Sequence, residues 1–330
     1  MLSIGNVAHW GVMKPLIFID GHAGAAGLCI REWLAQRDDI ELLAIEDSLS
    51  GDLDARRRCL DRADLAILCL PQEAAREAVS GLEHPGTRIL DTSAAHRVAE
   101  GWVYGLPELS PERRGAITAS KRVSGPGCYA TAINLLLRPL VDAGILPTDA
   151  PVAIHALSGY SGGGRAAIER WEDPEGGLRS LPFETPHTLD EPHEQLPEIL
   201  RYTALEHEPQ FLPAVGPFLC GLRVEIPLHA VVLPMGVTGT AIWEILKQRY
   251  AEETFVTLLP LQQPFGGAEF TLDPRRCNGS NRIELRVLPH ANGHVLLVAV
   301  LDNLGKGAAG AAVQNLNLML GFPEDQGLPA

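Results

Sequence analysis

The sequence predicts an α/β protein of two domains: a Rossmann-type parallel sheet, then an α+β domain with a mixed or antiparallel sheet. Three observations predict it. Residues 15–36 read as strand, glycine turn and helix in direct succession. Strand and helix patterns then alternate as far as residue 93, as in βαβ units with right-handed crossovers. Beyond residue 152, strand-like runs follow one another with few helices between them. A chain of 330 residues with 46% hydrophobic and 21% charged residues is ordinary globular material, long enough for two cores. The formal net charge of −14 argues against nucleic acid or an anionic membrane as the main partner. It leaves room for small acidic substrates, since a few local arginines outweigh a global field. No apolar run reaches the ~20 residues of a membrane span. The first residues lack the basic and apolar regions of a signal peptide. Residues 1–12, ahead of Met13, read as an N-terminal extension. The six cysteines, at 29, 59, 69, 128, 220 and 277, form no CxxC pair and no metal-ligand spacing, so they read as reduced thiols of a cytoplasmic protein without a metal.

Pro15 to Asp20 is a buried strand. Gly21-His22-Ala23-Gly24-Ala25-Ala26-Gly27 follows, and Leu28 to Gln36 has helical spacing. Glycines at 21, 24 and 27 suit a sharp turn, close approach of a pyrophosphate and tight helix–strand packing. The alternative is a glycine-rich turn with no ligand. Ile40 to Ile45 is the second strand. The residues after such a strand meet the adenosine ribose, and here they include Glu46 and Asp47, which suit a 2′-hydroxyl and repel a 2′-phosphate. The nearest basic run, Arg56-Arg57-Arg58, reads as a solvated helix face. Asp64 to Leu70 and Arg88 to Ser93 are further strands, with a helix over Gln72 to Leu82 between them. Ser93 and Arg97 lie just past the last of these, where open α/β sheets hold ligands. Arg97 is either an anion clamp there or a surface loop arginine.

Gly125-Pro126-Gly127 is a turn that no helix or central strand tolerates, and Ala130 to Leu137 after it is apolar and helix-compatible up to Pro139. Cys128 therefore falls in a helix's first turn, where unpaired N–H groups and the dipole favour a thiolate. It reads as a nucleophile or as a buried structural thiol. Val152 to Leu157 is a strand leading into Ser158-Gly159-Tyr160-Ser161-Gly162-Gly163-Gly164-Arg165, either an anion loop or a surface loop. His193 stands before an apparent helix over Glu198 to Glu206. Strand-like runs follow at 217–229, 255–259, 283–288 and 294–301. Helices are expected over Thr240 to Tyr250 and over Ala308 to Leu320, the latter capped by Gly321. A dinucleotide turn, a helix-start cysteine, anion-ready loops and a histidine combine into one chemistry: attack of a thiolate on an activated acyl carbon, then hydride reduction of the thioester to an aldehyde.

The glycine turn, Gly127-Cys128-Tyr129-Ala130, the Ser158–Arg165 loop, Leu196-Pro197-Glu198 and Asp302-Asn303-Leu304-Gly305-Lys306-Gly307 together resemble the N-acetyl-gamma-glutamyl-phosphate reductases of arginine biosynthesis. Asp91 to Arg97 and Tyr104-Gly105-Leu106-Pro107-Glu108 resemble their shorter, type 2 branch. The resemblance implies a glyceraldehyde-3-phosphate-dehydrogenase-like architecture. Its Rossmann domain would comprise 13–127 and 302–330, and a catalytic and oligomerisation domain would span 128–301. It implies Cys128 as nucleophile, His193 as acid/base, and a homodimer or homotetramer acting on a small anionic acyl phosphate. It also implies NADP, for which Gly21, Ala23, Gly24, Ala25, Ala26, Gly27, Ser93 and Gly305 are the candidate residues; Arg97, Ser158, Gly159 and Arg165 are the candidates to meet the substrate, the two arginines as clamps on its phosphate or carboxylate. Two departures stand out. The family's His–x–His reads His193-Glu194-Gln195 here, and Glu46-Asp47 replace a basic pair, so use of NAD is not excluded. A sister reductase of lysine biosynthesis and a non-catalytic dinucleotide sensor are the competing expectations.

Overall fold

The computed structural model describes residues 14–176, 178–261 and 272–329, apart from the side chain of Asp47. The expected extension over 1–12, and Asp47's part in the cofactor reading, lie outside the described residues. Two compact units form. One runs to Gly125 and takes up the chain again over Ala311–Leu328; the other holds Pro126–Gly310 and Pro329.

The first unit is built from β1 (Leu16–Asp20), α1 (Ala25–Leu34), β2 (Glu41–Leu43), α2 (Leu53–Arg62), β3 (Leu65–Leu68), α3 (Gln72–Ser80), β4 (Arg88–Asp91), β5 (Val103–Tyr104), α4 (Arg113–Ala119) and β6 (Arg122–Ser124). Its sheet runs β2-β1-β3-β4-β6-β5, and every pairing is parallel. β3 is buried at all four positions, the continuous apolar run of a strand covered on both faces. β5 and β6 escape sequence reading because two or three residues carry no detectable period. The C-terminal segment belongs here by its buried amides. Asn315 donates to the Gly105 carbonyl at 2.8 Å, and Gln314 donates to Glu108 at 2.9 Å.

The second unit follows with α5 (Cys128–Asp142), β7 (Ala153–Gly159), α6 (Gly164–Glu172), β8 (Thr185–Pro186), α7 (Leu196–Thr203), β9 (Gln210–Gly216), β10 (Leu222–Leu228), α8 (Gly239–Arg249), β11 (Val256–Leu258), β12 (Ile283–Pro289) and β13 (Val295–Leu301). α9 (Gly310–Leu320) then leads back into the first unit, ending at Gly321 in the left-handed region (φ +78°). The second sheet is mixed, in the order β11-β12-β13-β10-β7-β9-β8. β11–β12 and β7–β9 are parallel pairs, and the other four pairings are antiparallel. Sequence reading passes over β9 because Pro213 interrupts it. It passes over α6 because the glycines at 162–164 obscure a helix whose later residues, from Arg165, favour one.

α5 is the buried axis of this unit, with Ala130, Ala132, Ile133 and Leu135 to Leu137 fully inaccessible. It does not stop at Pro139 as expected but runs on to Asp142. Proline removes one helical N–H and orphans the carbonyl four residues earlier. That carbonyl belongs to Leu135, and the buried Tyr250 hydroxyl donates to it at 2.6 Å. A distant side chain thus supplies the bond that Pro139 cannot make. Tyr250→Phe is expected to destabilise the protein by about 1–3 kcal/mol, because it strands a buried acceptor. Denaturant unfolding measures this, and a loss below ~0.5 kcal/mol would mean that Leu135 has no need of the hydroxyl.

Candidate active site

In the first unit, the turn after β1 is shaped as a phosphate seat. Gly21 is left-handed (φ +85°), and a Cβ there would stand 2.2 Å from the Cys69 carbonyl oxygen. Its own carbonyl accepts from the Gly24 N–H at 3.0 Å, closing the turn. Gly24 caps α1 without a side chain, and no acidic residue occupies the helix's first turn. The N-terminal N–H groups of Ala25 to Gly27 therefore face no side-chain cap and no carboxylate, which fits an anionic pyrophosphate. Asp20, at the end of β1, is nearly buried and grips Arg56 of α2 through two hydrogen bonds of 2.9 Å. That bond raises the guanidinium's pKa. Arg57 and Arg58 are exposed as expected, whereas Arg56 is committed to Asp20.

The turn after β4 is a closed knot. Asp91 accepts from the Ser93 N–H at Oδ1 and from the Ser93 hydroxyl at Oδ2, at 2.9 Å each, and His96 Nδ1 lies 2.6 Å from the same Oδ2. The His96 ring stacks on Trp102 at 4.0 Å. Arg97, 8% exposed, donates to the carbonyls of Gly125 at 3.1 Å and Thr92 at 3.2 Å. It is thus a buried cation that also braces the turn, not a surface loop arginine.

In the second unit, α5 begins at Cys128 itself. No side chain of Gly127 caps this end; the caps come from the first turn of α7 and the residue before it, 71 and 65 residues on. Glu198 accepts from the Gly127 N–H at 3.2 Å, and Gln195 Oε1 accepts from the Ala130 N–H at 3.0 Å. The Gln195 amide nitrogen, on the same side chain, points its donor at Cys128 Sγ from 3.9 Å. Gln195 is 6% exposed and Glu198 1%. On its other flank the cysteine meets Gly307, where any Cβ would come within 2.7 Å of the Cys128 Cβ. The Gly305–Ala309 turn that carries Gly307 is a π-turn, wound wider than an α-helix.

His193 joins this cluster through Tyr129. The two rings meet edge-on at 5.4 Å, and Phe211 closes the other side at 5.2 Å. His193 Nδ1 accepts from the Gln195 N–H at 3.2 Å, which leaves Nε2 as the protonated nitrogen of the neutral ring. Tyr129's hydroxyl pKa is pushed up by burial and then by negative charge on Cys128, against its hydrogen bond with Ser158. His187, 5.8 Å from His193, is pushed down by burial.

The second unit therefore brings Cys128, His193 and Ser158 around Tyr129. Arg165 stands apart on α6, 70% exposed and paired with Glu169. Gly159 packs against the Leu219 carbonyl, and Gly305 against that of Ser280, so both glycines have a packing reason in addition to any ligand. Sequence reading treats Gln195 only as the loss of a histidine. The available signal is a glutamine and a glutamate, at 195 and 198, opening an otherwise apolar helix turn, where a buried polar group requires partners.

Comparison with known proteins gives one consistent picture. Residues 21–116 match the family model described as "Semialdehyde dehydrogenase, NAD binding domain", and residues 128–303 match "Semialdehyde dehydrogenase, dimerisation domain". The chain is 46% identical over 316 residues to N-acetyl-gamma-glutamyl-phosphate reductase 2 of Pseudomonas putida, covering 95% of this chain and 99% of that one. It is 46% identical to the reductase of the same name from Burkholderia orbicola, covering 93% and 97%. The second reductase of a Nostoc species is also 46% identical, with coverage of 96% and 99%. Among solved structures, the aspartate semialdehyde dehydrogenase of Francisella tularensis superposes with a TM-score of 0.69 at 16% identity, covering 93% of this chain and all of that one. Aspartate semialdehyde dehydrogenase II of Vibrio cholerae gives 0.67 at 17%, covering 93% and 98%. These structural likenesses establish the fold.

Proposed function

Since the chain belongs to the N-acetyl-gamma-glutamyl-phosphate reductase family of semialdehyde dehydrogenases, we propose that it reduces N-acetyl-gamma-glutamyl phosphate to N-acetylglutamate semialdehyde and phosphate in arginine biosynthesis. The observation that carries this reading is the seat of Cys128: a sulfur at the start of a buried helix, faced by an amide donor and joined to a histidine through Tyr129.

The Cys128 thiolate attacks the acyl carbon. The bond from that carbon to the phosphate oxygen breaks, phosphate departs taking a proton from solvent, and a thioester remains on Sγ. A reduced nicotinamide, when bound, supplies the hydride that converts the thioester carbon to the aldehyde level. His193 lends its Nε2 proton to the alkoxide formed there and takes it back as the C–S bond breaks, which returns the thiolate. Ser158 and Gly159 border the Tyr129 side of this site. Arg165 is proposed as a substrate clamp: its exposed ion pair with Glu169 is worth little in water, so exchange to a phosphate costs little. Arg97 is proposed for the same task because it carries its charge into the buried turn after β4.

Gly21, Ala23, Gly24, Ala25, Ala26 and Gly27 would hold the pyrophosphate, with Ser93 and Gly305 as further cofactor residues. NADP is the proposed cofactor. Glu46 is exposed after β2, and Arg56, the nearest inward cation of its run, already serves Asp20. NAD is therefore expected to work as well. The match to a dimerisation domain supports a homodimer or homotetramer. Among the described residues no helix is long and apolar enough to cross a membrane. Six free thiols suit a reducing, cytoplasmic setting.

The test is phosphate-dependent oxidation of N-acetylglutamate semialdehyde, followed by reduced-cofactor absorbance with NADP and NAD in parallel. Turnover with both is the expected result. An NADP advantage above about 100-fold would refute the reading of Glu46, since that ratio needs a dedicated contact worth nearly 3 kcal/mol. No turnover by folded protein would refute the substrate assignment.

A further inference from the structure

The Gln195 side chain has its orientation decided for it. Its Oε1 is held by the Ala130 N–H, which has only a hydrogen to offer, so the amide's NH₂ is the end turned toward Cys128 Sγ. The seat is tight. A Cβ on Gly127 would lie 2.3 Å from the Gln195 Cδ, so the missing side chain at 127 is what admits the amide. Burial keeps water from replacing the contact. An N–H donor is a better partner for a thiolate, a full anion, than for a thiol, whose sulfur accepts weakly.

We propose that Gln195 is the residue that binds the Cys128 sulfur as a thiolate, through a neutral amide that spans from the helix's third residue to Sγ. The proposal rests on Cys128 being the nucleophile. A second histidine at this position, as in the family pattern, would pair with the sulfur as a titrating ion. An amide does not titrate, so in this chain holding the thiolate and moving a proton are separate tasks, the first on Gln195 and the second on His193. The titratable and charged groups on the elements around this helix start include Glu198, bonded to the Gly127 N–H, Tyr129, the next residue, His193, edge-on to Tyr129, and the buried Lys306, beside Gly307 in the turn that meets Cys128.

Alkylation of the protein by iodoacetamide tests this, since it reports the thiolate directly and needs neither substrate nor cofactor. Peptide mass analysis reads Cys128 separately. Burial pushes the Cys69 thiol up to about 12 and raises Cys59, Cys220 and Cys277 too, so these remain protonated near neutrality. Wild type is expected to give a rate–pH curve with a single ionisation. Gln195→Glu keeps the acceptor for the Ala130 N–H but puts a carboxylate oxygen where the donor was. Gln195→Met removes both. Each is expected to move the curve up by about one pH unit or more, a fall of about tenfold in rate at pH 7. Curves that overlie wild type in variants with unchanged melting would overturn the proposal, and if Gln195→Met fails to fold, Gln195→Glu decides. A shifted curve combined with no semialdehyde turnover would leave this assignment standing and reject the substrate. Turnover with unshifted curves would do the reverse.

Discussion

Cys128→Ser is expected to lower semialdehyde oxidation by about 10⁵-fold, the scale on which removal of a covalent nucleophile acts. The seat explains why the hydroxyl cannot substitute. A thiol ionises near pH 8.5 unassisted, so a helix start and one amide donor suffice to hold the anion. A serine hydroxyl needs a base to remove its proton, and the amide nitrogen that Gln195 turns to this side chain can only donate. The substitution is nearly isosteric at a partly exposed position, so unfolding should shift by less than ~1 kcal/mol. Steady-state turnover and a melt of the same sample make the measurement. Activity within about tenfold of wild type would remove Cys128 from the mechanism, because a residual rate that high leaves no covalent step to account for.

His193→Gln is expected to cost about 10²- to 10⁴-fold in turnover, the usual worth of a general acid. Its signature is a split between the two half-reactions. The thiolate is held by Gln195, so acylation should persist and release a stoichiometric burst of phosphate from the acyl phosphate. The reductive step, which needs a proton for the alkoxide, should fall by the full factor. Glutamine can still accept from the Gln195 N–H as His193 Nδ1 does, so the loop is expected to stay in place. A mutant that loses the phosphate burst in proportion to turnover would assign His193 to activation of Cys128 instead.

How much of this was legible in the sequence depends on the distance over which each feature is encoded. The glycine turn was legible because Gly21 and Gly24 lie between one strand and one helix, although α1 starts at Ala25, earlier than the expected Leu28, and takes in Gly27. The alternation of strands and helices declared the parallel sheet, although β5 and β6 were too short to register. The Pro126-Gly127 break marked the helix that starts on Cys128, yet Pro139 gave a false stop. The bond that permits the helix to continue comes from Tyr250, 115 residues away. The run Arg56 to Arg58 looked uniformly solvated because Asp20, 36 residues earlier, shows its claim on Arg56 only once β1 and α2 pack together.

The amino-acid sequence by itself determined where the proposed nucleophile stands, which turn is left free of side chains at a helix start, and that two sheets of different kind are formed. Each of these follows from φ restrictions and hydrophobic periods over a few consecutive residues. Only the tertiary structure decided what holds the sulfur. Gln195 is 67 residues from Cys128, and its value there comes from an amide fixed at one end by a helix N–H and buried away from water. Hydrogen bonds of that kind have direction and partners but no sequence period, so a substitution that reads as a missing histidine becomes a defined contact only when α7 is brought against the start of α5.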